Sequence, residues 1–260
     1  MKPEPKTLLE THQLCVDVPG KALCRNLNIS VQAGDIWCVL GRNGVGKTTL
    51  LHTLAGLREP TGGSVCLAQT PLSQLSRNTI ARTLGILFQD HYDPFPATVM
   101  ETVLIGRHPH LGAWGWEGPE DYQLADTALD VVGLNGFKQR NVATLSGGER
   151  RRLGIATLLV QQPSVYLWDE PTNHLDLHHQ MQILEHLRDN AHKDGTAHIM
   201  VIHDLNLAVR FADHFLLLLG GGDYYAGTGP EVLRQDLLER VFGHVLVPIK
   251  GATGTAWLAG

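Results

Sequence analysis

The sequence predicts an α/β fold in which a mostly parallel sheet is covered by helices, with an N-terminal antiparallel β region and an inserted α-helical subdomain. Four apolar runs of strand length alternate with helix-patterned stretches, at residues 84–88, 165–168, 198–202 and 215–219. Strands that are apolar along their whole length are buried on both faces, which is typical of parallel sheets between helices. Shorter β-like runs separated by turn residues open the chain, at residues 14–18, 27–31 and 64–68.

The stretch between about residues 92 and 160 has helical patterning instead. A helix is expected to begin near Pro119, because proline suits an early helical position and Glu120 and Asp121 place acidic side chains in the first turn. Apolar residues then recur at helical spacing until Gly133 stops the helix.

A second helix is expected from Ser146 to the stop at Pro163, again with apolar residues at helical spacing. No internal repeat or low-complexity tract interrupts the chain. We therefore predict a single domain that spans residues 1–260. Its two parts are an α/β core, approximately residues 1–90 with 161–260, and a helical subdomain, approximately residues 91–160.

Composition is ordinary for a soluble globular protein, with 43% hydrophobic and 18% charged residues. A formal net charge of −5 argues against nucleic acid as the main partner. The N-terminus lacks the apolar segment of a signal peptide, and the longest apolar run, near residues 215–219, is far too short to span a membrane. Any membrane role must therefore come through a partner.

The four cysteines lie in or beside strand-like apolar runs; they are Cys15, Cys24, Cys38 and Cys66. None belongs to a C-x-x-C pair, so we expect buried, reduced thiols. Reduced thiols suit the cytoplasm.

Residues 41–48 form the most informative motif, a glycine-rich turn between an apolar strand and a helix-patterned stretch. They read Gly-Arg-Asn-Gly-Val-Gly-Lys-Thr, the G-x-x-x-x-G-K-T spacing of a phosphate-binding loop. Glycines let successive backbone N–H groups point at one anion, and the following helix adds the positive end of its dipole. Lys47 is expected to reach the β- and γ-phosphates, and the Thr48 hydroxyl to ligate Mg²⁺. The motif predicts a P-loop NTPase core that binds a nucleoside triphosphate.

The apolar run at residues 165–168 ends in two carboxylates, Asp169 and Glu170. An α/β sheet presents its ligand groups at the carboxyl ends of its strands. Asp169 is placed to hold Mg²⁺ through water, and Glu170 could polarise a water for in-line attack on the γ-phosphate. Alone, the pair would be interpreted as a solvated turn, but together with the phosphate loop it predicts triphosphate hydrolysis.

Residues 145–149, Leu-Ser-Gly-Gly-Glu, form a helix start with two glycines in its first turn. Ser146 and Glu149 match a capping box, which explains part of the pattern. Gly147 and Gly148 weaken a helix relative to alanine. Their missing side chains would, however, let an anion approach the helix N-terminus closely.

At these motifs the chain resembles the ATP-binding cassette (ABC) family, whose signature is L-S-G-G, and the resemblance covers nearly the whole length. Further matches follow in the family's order: Walker A at residues 41–48, the Q-loop at Gln89, Walker B at residues 165–170, the D-loop at residues 173–176 and the switch histidine at His203.

The resemblance implies an ATPase that uses ATP and Mg²⁺ and works as a head-to-tail dimer. Residues 146–148 of one copy would contact the γ-phosphate bound by the other, so a single chain completes no site. His203 would contact the γ-phosphate and stabilise the attacking water with Glu170, and Gln89 would relay the state of the site to a membrane subunit. The implied roles are catalysis for Glu170, His203 and Gln89; nucleotide contact for Gly41, Asn43, Gly44, Gly46, Lys47, Thr48, Thr49, Ser146, Gly147, Gly148 and Asp176; and metal contact for Thr48, Gln89 and Asp169.

Three positions depart from the family pattern. Val18 fills the place where many cassettes stack an aromatic residue on adenine, which leaves adenine stacking and the preference for ATP over GTP open. Residues 150–152 are all arginine, where glutamines are commoner before the last arginine, and we expect a solvated basic face. Trp168 replaces a small aliphatic residue and is expected to fill core space.

Several segments are similar to cassettes of importers for metal chelates, a group that handles iron siderophores, haem and cobalamin: residues 93–99, 102–110, 169–176, 201–206 and 227–233. The implied partners are a second copy of the chain, integral-membrane permease subunits that dock near Gln89 and, indirectly, a substrate-binding protein, with no nucleic acid. The implied location is the cytoplasmic face of the inner (plasma) membrane, held there through the permease. The chelate itself is not identified by this chain, because cargo contacts lie on other subunits.

Two other classes fit the same chemistry. The ATPase subunit of an exporter remains an alternative, and the loop after Gln89 is the feature that discriminates it from an importer. A soluble ABC ATPase acting on ribosomes or DNA would usually carry two cassettes or long coiled coils, and this chain has neither. A regulatory module without hydrolysis is disfavoured, because Glu170, His203 and Lys47 are all present.

Overall fold

The structure, a computed structural model, describes residues 6–89, 96–112, 115–251 and 254–260. Residues 93–95 of the predicted importer-like loop lie outside these residues. In chain order the strands are β1 (Thr7–Val18), β2 (Lys21–Leu27), β3 (Ser30–Gln32), β4 (Ile36–Gly41), β5 (Gly62–Leu67), β6 (Thr70–Pro71), β7 (Leu84–Leu87), β8 (Val165–Asp169), β9 (Ala197–Val201), β10 (His214–Gly220), β11 (Asp223–Thr228), β12 (Leu246–Gly251) and β13 (Gly254–Ala259). The helices are α1 (Lys47–Leu54), α2 (Arg77–Thr83), α3 (Val99–Leu104), α4 (Pro119–Val131), α5 (Gly147–Gln161), α6 (Leu177–Asp194), α7 (Leu205–Phe211), α8 (Gly229–Val232) and α9 (Gln235–Phe242).

A six-stranded sheet in the order β11-β10-β4-β9-β8-β7 forms the centre of the fold. Its neighbouring strands are parallel except for the edge pair β10 and β11. A second, antiparallel sheet consists of β2-β1-β5-β6, with β3 paired to β1. The predicted α/β fold class, with its mostly parallel sheet and N-terminal antiparallel region, is confirmed.

Alternate residues of the central strands face two different cores, which is why these strands are apolar throughout. In β4, Ile36, Cys38 and Leu40 pack with the helices α3 to α7 and α9. Trp37 and Val39 instead pack with α1 and the antiparallel sheet. The central sheet therefore forms the middle of three layers.

Helices α3, α4 and α5 lie between β7 and β8, and the described residues of this segment contain no strand. Helix α4 begins at Pro119, and the chain leaves it through Gly133 with φ +67°, the left-handed conformation of a C-terminal glycine. Helix α5 follows Ser146, which forms the predicted capping box with Glu149. No helix among the described residues is long and apolar enough to cross a membrane.

The β-like run predicted over residues 27–31 is wrong as a single strand. The structure has two strands there, β2 and β3, divided by Asn28 and Ile29. The Thr11 hydroxyl accepts a hydrogen bond from the backbone N–H of Ile29 at 3.0 Å. The Thr11 side chain therefore accepts from a backbone N–H that would otherwise pair with a neighbouring strand, and the strand is interrupted there.

All four cysteines are free, as expected, and three of them are buried. Cys15 is partly exposed, next to a register shift in the pairing of β1 with β5, so the prediction of burial is wrong there. Burial raises the pKa of the Cys24 thiol to about 11 and also raises that of Cys38. These two thiols are therefore protonated at neutral pH.

Candidate functional site

Four of the predicted motifs meet at the carboxyl edge of the central sheet. The phosphate loop follows β4, Gln89 follows β7, Glu170 follows β8 and His203 follows β9. Parallel strands end at the same edge, so these residues come together. They surround a cavity of about 530 Å³. The predicted site residues in its lining are Asn43, Gly44, Gly46, Lys47, Thr48, Thr49, Gln89, Glu170 and His203, and the apolar side chains of Val18 and Leu23 also line it.

The backbone of the phosphate loop uses glycine conformations. Gly44 and Gly46 have φ angles of +71° and +113°, in the left-handed region that side chains disfavour. A Cβ atom at Gly46 would lie 2.5 Å from the side chain of Leu23, so a larger residue would displace Leu23 and strain the backbone. Gly46 is also the N-cap of α1 and offers no side-chain cap, so the first N–H groups of the helix are free for a ligand.

Lys47 lies beneath this loop and is only 6% exposed. Its Nζ donates hydrogen bonds to the carbonyl oxygens of Gly41 at 2.8 Å and Arg42 at 3.2 Å. Burial lowers the pKa of Lys47, and the carboxylates of Glu170 and Asp169 oppose this effect. The ammonium group is thereby held at the base of the anion site.

Gly41 begins the motif but does not line the cavity. A Cβ atom there would lie 2.9 Å from the carbonyl oxygen of Leu218 and 2.9 Å from Cγ1 of Val45. The position therefore needs glycine so that β4 can pack against β10 and the loop, and its carbonyl accepts from Lys47. In this structure Gly41 therefore supports the phosphate loop by close packing and does not face the cavity.

Glu170 is the centre of a hydrogen-bonded cluster in the cleft. Its carboxylate contacts Nε2 of His203 and accepts from Nδ2 of Asn173 at short range, and it accepts from Nε2 of Gln89 at 3.4 Å. Its φ of +56° lies in the left-handed region, a costly backbone conformation that clusters at functional sites. The sequence motifs place Asn173 only in the D-loop. Its spacing of three residues from Glu170 within a turn could have indicated the contact.

Asp169 is fully buried, and neither of its carboxylate oxygens has a hydrogen-bond partner among the described residues. Burial raises the pKa of Asp169, and the neighbouring Thr48 hydroxyl partly offsets this effect. An unpaired buried carboxylate is costly, so its presence requires an explanation. The carboxylate and the hydroxyl, with the Gln89 amide in the same cleft, form an oxygen donor set that suits a hard divalent cation.

The signature residues and Asp176 lie outside the cavity lining. Ser146 is the N-cap of α5, and a Cβ atom at Gly147 would meet nothing within 4 Å, so the outer side of this helix N-terminus is open. A Cβ atom at Gly148 would lie 2.9 Å from the carbonyl oxygen of His174. Asp176 is the N-cap of α6. The structure therefore does not bring these four residues to the cleft of their own chain.

Residues 24–173 match the family model described as ABC transporter. The chain belongs to the ABC transporter family. This cassette is 38% identical to an iron(3+)-hydroxamate import ATP-binding protein of Bacillus subtilis (strain 168), over 90% of its own length and 87% of the relative's. It is 34% identical to a ferric enterobactin transport ATP-binding protein of Escherichia coli (strain K12), over 90% and 87% of the two lengths. The predicted resemblance is confirmed.

Solved structures share the fold of the cassette. A chain of an inward-facing ABC transporter assigned to the metal-chelate type matches with a TM-score of 0.84 and 28% identity, over 97% of both chains. A dimeric ATP-binding cassette bound to ADP and phosphate matches with a TM-score of 0.74 and 25% identity, over 85% of this chain and 98% of that one. The chain is therefore an ATP-binding, ATP-hydrolysing cassette with a P-loop NTPase fold, as predicted.

Arg151 bonds three backbone carbonyl groups beside the site, a role that the sequence interpretation missed. The solvated basic face expected at residues 150–152 is wrong, because Arg150 and Arg152 are partly buried and Arg151 is only 5% exposed. Its Nη1 donates to the carbonyl oxygens of Phe88 and of Gln89 (3.2 Å to the latter), and its Nη2 donates to that of Asp169. Arg151 thus ties the signature helix to the Q-loop and to Walker B.

Trp168 fills core space, as expected, but it also forms a hydrogen bond. Its Nε1 donates to Nδ1 of His198 at 3.0 Å, and the rings of Trp168, His198 and Tyr166 are stacked. The other ring nitrogen of His198 therefore carries the proton and donates to Oγ1 of Thr196 at 3.0 Å. Burial lowers the pKa of His198 to about 3, so this imidazole is neutral at pH 7.

Proposed function

We propose that this cassette is the ATPase subunit of an importer for a metal chelate, and that it powers a separate permease. The main observation in favour of ATP hydrolysis is that Lys47, Glu170 and His203 lie in one cleft. Similarity to import proteins for iron(3+)-hydroxamate, ferric enterobactin and cobalamin supports a metal chelate as the cargo.

The phosphate loop would capture the nucleotide. The free N–H groups at the start of α1 and the Lys47 ammonium would hold the β- and γ-phosphates. Val18 and Leu23 would contact the nucleoside, since they are the apolar part of the cavity lining. Neither side chain is aromatic, so the base would gain apolar contact without ring stacking.

Mg²⁺ fits the oxygen donors beside the loop. The Thr48 hydroxyl, the unpaired Asp169 carboxylate and the Gln89 amide would hold it, directly or through water. When bound, the ion offsets negative charge on the β- and γ-phosphates. It would also remove the cost of burying Asp169 as an unpaired anion.

Glu170 would act as the general base for the attacking water. The hydrogen bonds from Asn173 and Gln89 orient its carboxylate, and His203 lies against its other oxygen. When a nucleotide enters, His203 would turn to the γ-phosphate and leave an oxygen of Glu170 free to take a proton from water. The chain's own residues would therefore place both the base and the cation-binding oxygens around one phosphate.

A second copy of the chain would complete the site. The open N-terminus of α5 with Gly147, together with Asp176, lies outside the cleft of its own chain and would close over the cleft of the partner copy. The dimeric cassette that binds ADP and phosphate supports this arrangement. Two sites would then form between two identical chains.

The permease would dock in a groove between β7, α3 and α5. This groove has a volume of about 210 Å³ and is lined by Thr102, Ile105 and Arg150, among others. Ile105 is 51% exposed, which suits contact with an apolar partner surface. The groove adjoins the Q-loop, so nucleotide state at Gln89 could reach the permease. The cassette would thus sit on the cytoplasmic face of the inner membrane, with a substrate-binding protein acting on the permease's far side.

Co-purification tests this function. A tagged chain is extracted from membranes in mild detergent, and its partners are identified by mass spectrometry. We expect a permease with many membrane spans and a substrate-binding protein that retains the chelate. Ile105→Asp should lose the permease and keep ATP binding, whereas Leu57→Asp, a leucine of similar exposure (53%) away from the groove, should keep both. Recovery of ribosomal or soluble proteins alone would exclude transport and leave a cytosolic ATPase.

A further inference from the structure

The signature helix α5 contacts the D-loop region at two successive turns. In its first turn, Gly148 lies so close to His174 that a Cβ atom at Gly148 would be 2.9 Å from the His174 carbonyl oxygen. One turn later, Nη1 of Arg152 lies 2.9 Å from Nε2 of His179. These contacts join α5 to the loop that ends at Asp176.

His179 uses both of its ring nitrogens in this contact. Its Nδ1 lies 2.9 Å from Oδ1 of Asp176, and its Nε2 lies 2.9 Å from Nη1 of Arg152. Because a guanidinium group can only donate, Nε2 must accept, so the proton is on Nδ1 and is donated to Asp176. Arg152 also donates to the carbonyl oxygen of Val132 at 2.9 Å. The chain of bonds from Arg152 through His179 to Asp176 therefore needs one neutral tautomer of histidine.

We propose that His179 is a positioning residue that makes the D-loop and the signature helix move as one body. This inference rests on the proposed function, in which Asp176 and residues 146–148 both face the second copy. Both surfaces must meet that copy together, and a rigid link between them removes the cost of aligning each one separately. His179 does not line the cavity of its own chain. Its effect therefore falls on dimer formation and leaves nucleotide capture unchanged.

The hydrogen bonds that the His179 ring forms with Asp176 and Arg152 can be removed while both residues keep their other hydrogen bonds. In a His179→Ala variant, Asp176 keeps the hydrogen bond from the backbone N–H of residue 179 (2.9 Å), so the N-cap of α6 survives. Arg152 keeps its bond to the carbonyl oxygen of Val132. The substitution therefore removes the bridge together with the edge contact between the rings of His179 and His178.

The test measures ATP-dependent dimerisation of the full chain by sedimentation in the Glu170→Gln background, which blocks hydrolysis. We expect His179→Ala to raise the dimer dissociation constant about tenfold, because the two surfaces must then be ordered separately when the dimer forms. The ATP affinity of the monomer should not change, and its melting temperature should fall by only a few degrees, because the bonds that are lost lie within one chain. His192→Ala, which removes an exposed histidine near the other end of α6, is the matched control and should leave all three quantities unchanged.

The outcomes separate this inference from the proposed function. Dimerisation of His179→Ala equal to that of its parent would overturn the inference alone. If the alanine variant does not fold, His179→Asn decides in the same way, because its shorter amide can bond Asp176 but cannot also reach Arg152. If the Glu170→Gln parent itself stays monomeric with ATP, the proposed dimer mechanism fails.

Discussion

His198 makes the stability of the fold depend on pH, because it stays neutral in the folded protein where the unfolded chain would be protonated. Burial lowers its pKa from 6.5 to about 3. Between these two values the unfolded chain binds one more proton at this residue, so the free energy of unfolding falls as the pH falls through that window. Where the unfolded chain binds one more proton, the free energy of unfolding changes by about 1.4 kcal/mol per pH unit. Lowering the pH from 7 to 5 should therefore remove about 2 kcal/mol of stability through His198.

Urea denaturation at pH 7 and pH 5 measures this contribution when the wild type is compared with His198→Asn. The asparagine Oδ1 can still accept from Nε1 of Trp168, but the side chain does not titrate. Other titrating groups are common to both proteins and cancel; they include His186, whose pKa burial also lowers. We expect the wild type to lose about 2 kcal/mol more than the variant. Equal losses in the two proteins would refute a neutral, buried His198.

The remaining predictions concern the nucleotide site. Lys47→Ala should weaken ATP binding about tenfold or more, because it removes the cation beneath the phosphate loop; unchanged affinity in an equilibrium titration would contradict that assignment. Glu170→Gln should bind ATP normally but release phosphate at least about a hundredfold more slowly, and full turnover would remove Glu170 from the role of base. Val18→Tyr should tighten ATP binding about fivefold to a hundredfold, because base stacking contributes about 1–3 kcal/mol. No gain in affinity would show that residue 18 does not face the base.

The strands and the cleft could be predicted because both depend on local patterns. A continuous apolar run marks a strand buried on two faces, and parallel strands all end at one edge. Once the strands are placed, residues just beyond their ends must meet. Gln89, Glu170 and His203 each follow a strand by one or two residues and line the same cavity. The meeting of these three residues therefore follows from the strand positions alone.

The partners of single buried side chains could not be predicted in this way, because they depend on register and on packing between helices. Trp168 meets His198 only because β8 and β9 are neighbours in a register that pairs Tyr166 with His198. Arg151 is partly predictable, since the buried residues Ile155 and Leu158 follow it at helical spacing and place it on the inner face of α5. The carbonyl groups that it bonds, however, lie in loops far away in sequence.

Arginine at position 151 suits the groups around it better than a glutamine would. The Q-loop and the end of Walker B present backbone carbonyl groups to α5, at Phe88, Gln89 and Asp169. A glutamine amide has two N–H donors, whereas a guanidinium group has five in a fixed plane and can bond all three carbonyl groups at once. Arg151 therefore joins the signature helix, the Q-loop and Walker B on the side of its own cleft. Since His179 joins the same helix to the D-loop, α5 is connected to the nucleotide core by two separate side-chain routes.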